Sequence, residues 1–205
     1  MSIYQLFIIK NQPFSMNYAA LPAAQQQELW QQHEASTKRV GAANLLACDC
    51  TWANETYVIW GITQFPDVAA RIQHTRDLMK AGWFRIVDAF SLLGVPLSEP
   101  KEILFPDPIF QLWVVRSNPA ATDFRSRLSK EEDDALWKTH DEALARYQSF
   151  AWLVCNSYWS DDQYSAFGVN VYPSIEAEQY HKAELGKIHW EKYYDSFSIL
   201  GTKSM

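Results

Sequence analysis

The sequence has few cysteines, no basic cluster and no long apolar run, and each absence excludes a class of protein. Three cysteines in 205 residues are an odd number in a chain too large to need disulfides, so we expect buried, reduced thiols. The net charge of -6 disfavours nucleic acid or an anionic membrane as partner. No segment approaches the roughly 18 apolar residues of a membrane span, and the first residues lack the features of a signal peptide. We therefore expect a cytoplasmic protein with a small-molecule partner.

Several catalytic motifs are also absent. The sequence has no Gly-rich phosphate loop, no Gly-x-Ser-x-Gly elbow and no His-Glu-x-x-His helix. These absences disfavour nucleotide-dependent enzymes, serine hydrolases and zinc proteases. Cys48 and Cys50 could lie on one face of a strand, but no second Cys or His pair stands at the spacing that a zinc site needs. We predict no metal.

The sequence is an internal duplication. ELWQQHE at Glu28–Glu34 returns as ALWKTHD at Ala135–Asp141, and IYQLFIIK from Ile3 returns as IFQLWVVR from Ile109. Between the copies lies a segment rich in proline, which disfavours helix in itself and in the residue before it. We predict one repeat over residues 1–95, a linker over 96–108 and a second repeat over 109–205. Identical pairs include Trp30/Trp137, His33/His140, His74/His181, Trp83/Trp190 and Asp88/Asp195.

The sequence pattern of each copy predicts the element order β-α-β-β-α-β. Residues 3–10 and 109–116 are rich in β-branched and aromatic residues, which favours strands. Residues 23–40 and 130–147 have apolar residues at helical spacing, and Ser129 with Glu132 forms a capping-box pattern. Two strands, a helix and a last strand ending at Leu93 or Leu200 follow. This order is that of the ferredoxin-like split βαβ unit.

The element order, the repeat length and the apolar strands resemble the dimeric α+β barrel superfamily, in a version with both halves in one polypeptide. The resemblance covers nearly the whole chain. It implies an α+β fold in which two ferredoxin-like repeats pack sheet to sheet as an intrachain barrel. It also implies a choice among isomerases, cyclases, dehydratases, monooxygenases and non-catalytic stress-response barrels. We expect a monomer or a homodimer.

Four of the five histidines occupy equivalent, inward-leaning helix positions: His33, His74, His140 and His181. An imidazole moves protons in both directions near neutral pH, so we predict a general acid or base among them. The alternative is that each ring makes one hydrogen bond and packs in the core. Tyr57 and Tyr164 are predicted to polarise a carbonyl or protonate an enolate beside a histidine. They could instead be strand aromatics with their hydroxyls at the rim.

Gln5 and Gln111 interrupt apolar first strands. If these strands turn that face to the barrel interior, the two amides could orient a ligand or pair with each other. Together with Trp60 and Trp113 they are the predicted ligand-binding residues, because aromatic side chains suit a flat ligand. Two further aspartates, Asp88 and Asp195, could orient a histidine or form ion pairs with Arg39 and Arg146, and we expect the ion pairs.

These residues predict a small-molecule enzyme using His and Tyr acid-base chemistry on a flat, partly apolar, oxygenated substrate, of the isomerase, cyclase, dehydratase or decarboxylase type. One alternative is a haem-dependent or cofactor-free monooxygenase, and another is a non-catalytic binding or stress-response barrel. We expect no cofactor by default. If haem binds, the resemblance implies His74 or His181 as the iron ligand. Because the copies have diverged, we expect one repeat to keep the working site.

Overall fold

A computed structural model describes residues 1–204 and divides the chain into two compact units. One unit contains Met1–Pro96 and the chain from Lys203, and the other contains Leu97–Thr202. Each unit holds one copy of the duplication, called repeat 1 and repeat 2 below. No helix among the described residues is long and apolar enough to cross a membrane. Cellular location and oligomeric state stay predictions.

Repeat 1 is a four-stranded antiparallel sheet with the ferredoxin-like strand order β4-β1-β3-β2. Leu6 of the first strand lies opposite Ile62 of the third. Its elements are β1 (Ile3–Lys10), α1 (Asn11–Ala19), α2 (Ala23–Arg39), β2 (Ala43–Asp49), β3 (Tyr57–Phe65), α3 (Val68–Lys80) and β4 (Ala89–Ser98).

Repeat 2 has the same arrangement, with strand order β8-β5-β7-β6 and Leu112 opposite Val169. The predicted β-α-β-β-α-β order is therefore present twice. Its elements are β5 (Ile109–Arg116), α4 (Pro119–Ser126), α5 (Lys130–Ala145), β6 (Phe150–Asn156), β7 (Tyr164–Tyr172), α6 (Ile175–Lys187) and β8 (Ser196–Lys203).

The first strand of each repeat sends alternate side chains to opposite faces of its sheet. Leu6 and Leu112 belong to a fully buried face. On the other face, Phe7 packs on the core cluster that includes helix residues, and Gln111 hydrogen-bonds to a residue of α6. Gln5 and Gln111 thus face the helices of their own repeats, so the condition under which they would lie in the barrel interior is not met.

Side-chain caps explain where α3, α5 and α6 begin. Asp67 accepts a hydrogen bond from the backbone N–H of Ala70 and starts α3, and Ser174 caps α6 in the same way. The predicted capping box of α5 is confirmed, since Ser129 and Glu132 bond each other's backbone reciprocally.

The structure differs from the sequence prediction at two kinds of position. Two short helices, α1 and α4, follow the first strand of each repeat; α4 begins with Asn118 as a cap and a proline at its first position. Strand β4 runs through Pro96 to Ser98, beyond the predicted end at Leu93, so the first residues of the predicted linker lie in a strand. The division into residues 1–95, 96–108 and 109–205 stays a prediction.

Candidate functional site

The repeated Trp-x-x-His segment builds the same aromatic cluster in each repeat. In repeat 1 the ring centroid of His33 lies 4.8 Å from Trp83 and 5.2 Å from His74. In repeat 2 the distances from His140 are 4.6 Å to Trp190 and 5.1 Å to His181. The segment therefore packs the two helices of each repeat together. Its histidine contacts a second, buried histidine of the other helix, which is His74 in repeat 1 and His181 in repeat 2; these two are called the inner histidines below.

His181 also belongs to a buried hydrogen-bond network. The hydroxyl of Tyr172 lies 2.8 Å from Nδ1 of His181 and donates to Oε1 of Gln111 at 3.0 Å. Nε2 of Gln111 donates to Glu178 at 3.0 Å, and Asn170 donates to Oε1 of Gln111 at 3.2 Å. None of these five residues is more than 5% exposed.

Three elements bring the network together. Gln111 belongs to β5, while Asn170 and Tyr172 are two residues apart on the neighbouring strand β7 and share one face. Glu178 and His181 are three residues apart on α6 and share the helix face that covers the sheet. A sequence signal existed for the residues that our prediction missed. Polar side chains at alternate positions of an otherwise apolar strand indicate a polar site under a helix.

The network fixes the tautomer of His181. The Tyr172 hydroxyl has a single proton, which it donates to Gln111, so it accepts from Nδ1–H of His181. Nε2 of His181 then carries a lone pair, and this atom is buried with no hydrogen-bond partner. In repeat 1, Ser36 donates to Asp77 and lies 2.9 Å from Nδ1 of His74, which gives His74 the same tautomer.

Both inner histidines are uncharged at neutral pH. The pKa of His181 is lowered to about 4, chiefly by burial and in smaller part by the neighbouring groups His140 and Lys182. Burial likewise lowers the pKa of His74 to about 4. Burial raises the pKa of the Tyr172 phenol. His181 therefore presents a neutral acceptor nitrogen, and the phenol beside it keeps its proton.

The predicted ligand-binding residues have separate partners. Gln5 donates to Ser91 at 3.0 Å and Gln111 to Glu178, so the alternative of a glutamine pair is wrong. Trp113 donates to Asn170 at 3.2 Å, and thus joins the network around His181. Trp60 is fully buried, and its indole nitrogen has no partner.

The predicted tyrosines do not lie beside the inner histidines. Tyr57 and Tyr164 are the first residues of β3 and β7, whereas the residues that contact the histidines, Phe65 and Tyr172, are the last. Eight residues of strand separate the two ends by roughly 26 Å. The structure thus pairs a phenol with His181, as the chemistry anticipated, but the phenol is Tyr172.

Two other predictions concern charged groups and thiols. The ion pairs expected between Asp88 or Asp195 and Arg39 or Arg146 are wrong. All three cysteines are buried and free, as predicted, and burial raises their pKa values. Among residues 1–204, no group of three or more His, Cys, Asp or Glu side chains could hold a metal ion. The observed partners are Lys10 for Asp88, Arg116 for Asp195, Asp77 for Arg39 and Tyr180 for Arg146.

An open cleft on repeat 2 adjoins the network from two sides. Lys182, Trp190 and Tyr194 are among its lining residues. The ammonium of Lys182 lies 3.0 Å from the buried Glu178. Trp190 stacks on Tyr194 at 4.3 Å and on the ring of His140, which in turn contacts His181. The rings of Trp190 and His140 therefore lie between the cleft and His181.

Comparison with solved structures identifies the class of this fold. The chain resembles chlorite dismutase-like proteins, which have two ferredoxin-like repeats, and this confirms the predicted α+β barrel class. Chlorite dismutase from Candidatus Nitrospira defluvii in complex with imidazole matches with a TM-score of 0.76 and 12% identity, over 99% of this chain and 91% of that chain. A haem-binding protein from Thermus thermophilus matches with a TM-score of 0.65 and 11% identity, over 100% and 92%. At such identities the likeness shows the fold alone. No protein-family model and no curated protein matches the sequence.

Haem fits the chemistry of His181 but not the space around it. A ring nitrogen with a free lone pair, opposite a hydrogen-bonded Nδ1–H, is the arrangement of a metal-ligating histidine. However, the surrounding Gln111, Asn170, Tyr172 and Glu178 are at most 5% exposed, so these side chains leave no open space of porphyrin size beside the ring. A porphyrin would have to displace this whole network. The residues present do not fit haem, and no step below uses it.

Proposed function

We propose that the chain is a small-molecule enzyme that works without haem, in which His181 acts as a base on a flat, oxygenated, partly apolar substrate. The main support for this proposal is the buried lone pair on Nε2 of His181, which has no hydrogen-bond partner. Leaving a buried polar atom unpaired costs free energy, and such atoms in native proteins often have a functional reason. The fold class supports a small-molecule partner at the coarse level, since its neighbours include a haem-binding protein.

The residues of the network have different roles in this proposal. His181 is the catalytic residue: Nε2 takes a proton from an O–H, or from a C–H next to a carbonyl, of the substrate. The electron pair stays on the substrate as a negative charge on its oxygen, and this charge beside the ring offsets the cost of the imidazolium. Tyr172 is a positioning residue, because its own proton is held by Gln111. Its hydroxyl keeps the imidazole in the Nδ1–H tautomer, and Asn170 and Gln111 hold that hydroxyl in place.

The substrate reaches His181 from the open cleft. Trp190 and Tyr194 offer stacked aromatic surface to a flat ring, and Lys182 offers a positive charge to an oxygen atom. The rings of His140 and Trp190 move aside when the substrate enters, because they separate the cleft from His181. Closure of these rings over the substrate then excludes water from the base.

The test is proton exchange at a flat cyclic ketone, 2-tetralone, followed by NMR in D2O. The protein accelerates exchange at the carbon next to the carbonyl, and His181→Gln reduces the acceleration by about 100-fold or more, the usual contribution of a general base. His189→Gln is the matched control, because His189 is exposed and contacts no part of the network. It leaves the exchange rate unchanged.

Three results would contradict the proposal. Exchange that persists in His181→Gln would remove His181 from the base role. A complete lack of exchange with 2-tetralone and related flat ketones would favour the binding-protein alternative. A Soret band that appears on haemin titration and disappears in His181→Gln would show that the network opens for a porphyrin, and would favour the haem-dependent alternative.

A further inference from the structure

Repeat 1 carries a partly buried positive charge without a counter-charge. Nε of Arg71, on α3, is buried with no hydrogen-bond partner. Among residues 1–204, no ion pair includes Arg71. The guanidinium lies over the ring of Phe65 at 5.7 Å, and burial lowers its pKa. An uncompensated cation in this environment costs free energy that a bound anion would offset.

The equivalent position in repeat 2 holds the opposite charge. Arg71 and Glu178 each lie three residues before the inner histidine, His74 or His181. Glu178 receives hydrogen bonds from Gln111 and Lys182 and completes the network from within the chain. In repeat 1 the corresponding glutamine bonds elsewhere, and the carboxylate is missing. Repeat 2 therefore supplies its own anion, whereas repeat 1 presents a cation in the same place.

We propose that Arg71 binds the carboxylate of a small ligand on the solvent side of its guanidinium, beside α3 of repeat 1. A guanidinium offers paired N–H donors that match the two oxygens of a carboxylate. Phe65 and His74, whose rings are 5.5 Å apart, are buried under the guanidinium and close it off on the side of the sheet, so the carboxylate approaches from solvent. Arg71 is partly exposed, so a ligand reaches its outer nitrogens from solvent. This site is separate from His181 and does not rest on the function proposed above.

The test is calorimetric titration of the full chain with benzoate at constant ionic strength, with benzamide as the uncharged probe of the same shape. Benzoate binds, and benzamide binds at least about tenfold more weakly, as expected from the loss of a charged hydrogen bond. Arg71→Ala weakens benzoate binding by about tenfold or more, and Arg71→Lys weakens it less. Arg76→Ala is the matched control on the exposed side of the same helix and leaves the affinity unchanged.

Benzoate affinity that is equal in Arg71→Ala and the unmodified protein would overturn the proposal, and so would the absence of benzoate binding. Equal affinity for benzoate and benzamide would show that the ring alone is recognised, which also contradicts it. Circular dichroism of each variant establishes that it is folded. If Arg71→Ala does not fold, Arg71→Lys and Arg71→Met provide the same comparison.

Discussion

At the scale of single residues, the two inner histidines differ from an ordinary imidazole in the cost of charging them. Nδ1 of His181 is held by Tyr172 and Nδ1 of His74 by Ser36, and both rings are less than 5% exposed. Protonation of either ring would place a charge in an apolar environment next to a second histidine. Their low pKa values are thus a property of packing, and they make the stability of the fold depend on pH.

We expect the free energy of unfolding to decrease as the pH falls from about 6.5 towards about 4. Histidine in the unfolded chain titrates near 6.5, whereas burial lowers the pKa of His181 to about 4 in the native protein. Between these values the unfolded state binds a proton that the native state does not, so the stability that is present above pH 6.5 is lost on acidification. His181 contributes about 2 kcal/mol of this loss by pH 4.5.

Urea unfolding at pH 7 and pH 4.5 measures this effect. In His181→Gln the decrease between the two pH values is smaller than in the unmodified protein by about 2 kcal/mol. The exposed His189→Gln serves as the control and shows the full decrease. Equal pH dependence in all three proteins would mean that His181 titrates normally, and that the network does not keep it neutral.

The site shows which of its residues a local sequence pattern can predict. The helical spacing of Ala177, His181 and Leu185 predicted that His181 points at the sheet, and the odd amide in an apolar strand singled out Gln111. Tyr172 and Glu178 were missed because only the strand register and the docking of α6 bring them to that amide. Such contacts join residues about 60 positions apart, so the alternating polar residues of β7 indicate a polar face but do not identify its partners.

At the scale of elements, the duplication made the fold predictable. Periodicity placed each long helix and strand, and the capping box marked the start of α5. Helices α1 and α4 were missed because they have only 9 and 8 residues and begin directly after a strand. A helix this short shows too few turns for an apolar repeat to be visible.

The turn after the last helix of each repeat contains the one histidine without a counterpart. His189 has φ of 52°, and Gly82 at the equivalent position has φ of 75°. This left-handed conformation costs a residue with a side chain about 1–2 kcal/mol. Glycine avoids this cost, but it loses more conformational entropy on folding, so the net gain in stability is smaller. We therefore expect His189→Gly to raise the free energy of unfolding by about 0.5–1 kcal/mol, and Gly82→Ala to lower it by about 1 kcal/mol.

The shift of the urea midpoint at an unchanged slope measures both changes. A loss of stability in His189→Gly would show that the side chain of His189 stabilises the turn. Its neighbour Glu191, 3.6 Å away, would be the group responsible, and the loss would then be smaller at high salt.

At the scale of the whole molecule, the two repeats have kept their fold but diverged between helix and sheet. Positions Thr63, Phe65 and Arg71 of repeat 1 correspond to Asn170, Tyr172 and Glu178 of repeat 2. The polar residues of the two sets have different hydrogen-bond partners: Thr63 donates to Asn44, whereas Asn170 donates to Gln111. The divergence supports the expectation that the repeats have different functions, a base in repeat 2 and an anion site in repeat 1.

If the repeats have become specialised in this way, exchanging one residue between them should destabilise the protein in both directions. Tyr172→Phe gives repeat 2 the residue of repeat 1 and leaves Nδ1–H of His181 buried without an acceptor, which lowers the free energy of unfolding by about 1–3 kcal/mol. Phe65→Tyr buries a hydroxyl where Ser36 already bonds His74, and the cost is again about 1–3 kcal/mol.

Urea unfolding followed by far-ultraviolet circular dichroism distinguishes these effects from a general response to aromatic substitution. Tyr158→Phe is the control, since this tyrosine is 65% exposed, and it changes stability by less than about 0.5 kcal/mol. A neutral Phe65→Tyr would mean that repeat 1 still has a partner for the hydroxyl and retains the older, shared arrangement. A neutral Tyr172→Phe would mean that the network does not depend on its central hydroxyl, and the role of Tyr172 in orienting His181 would then be lost.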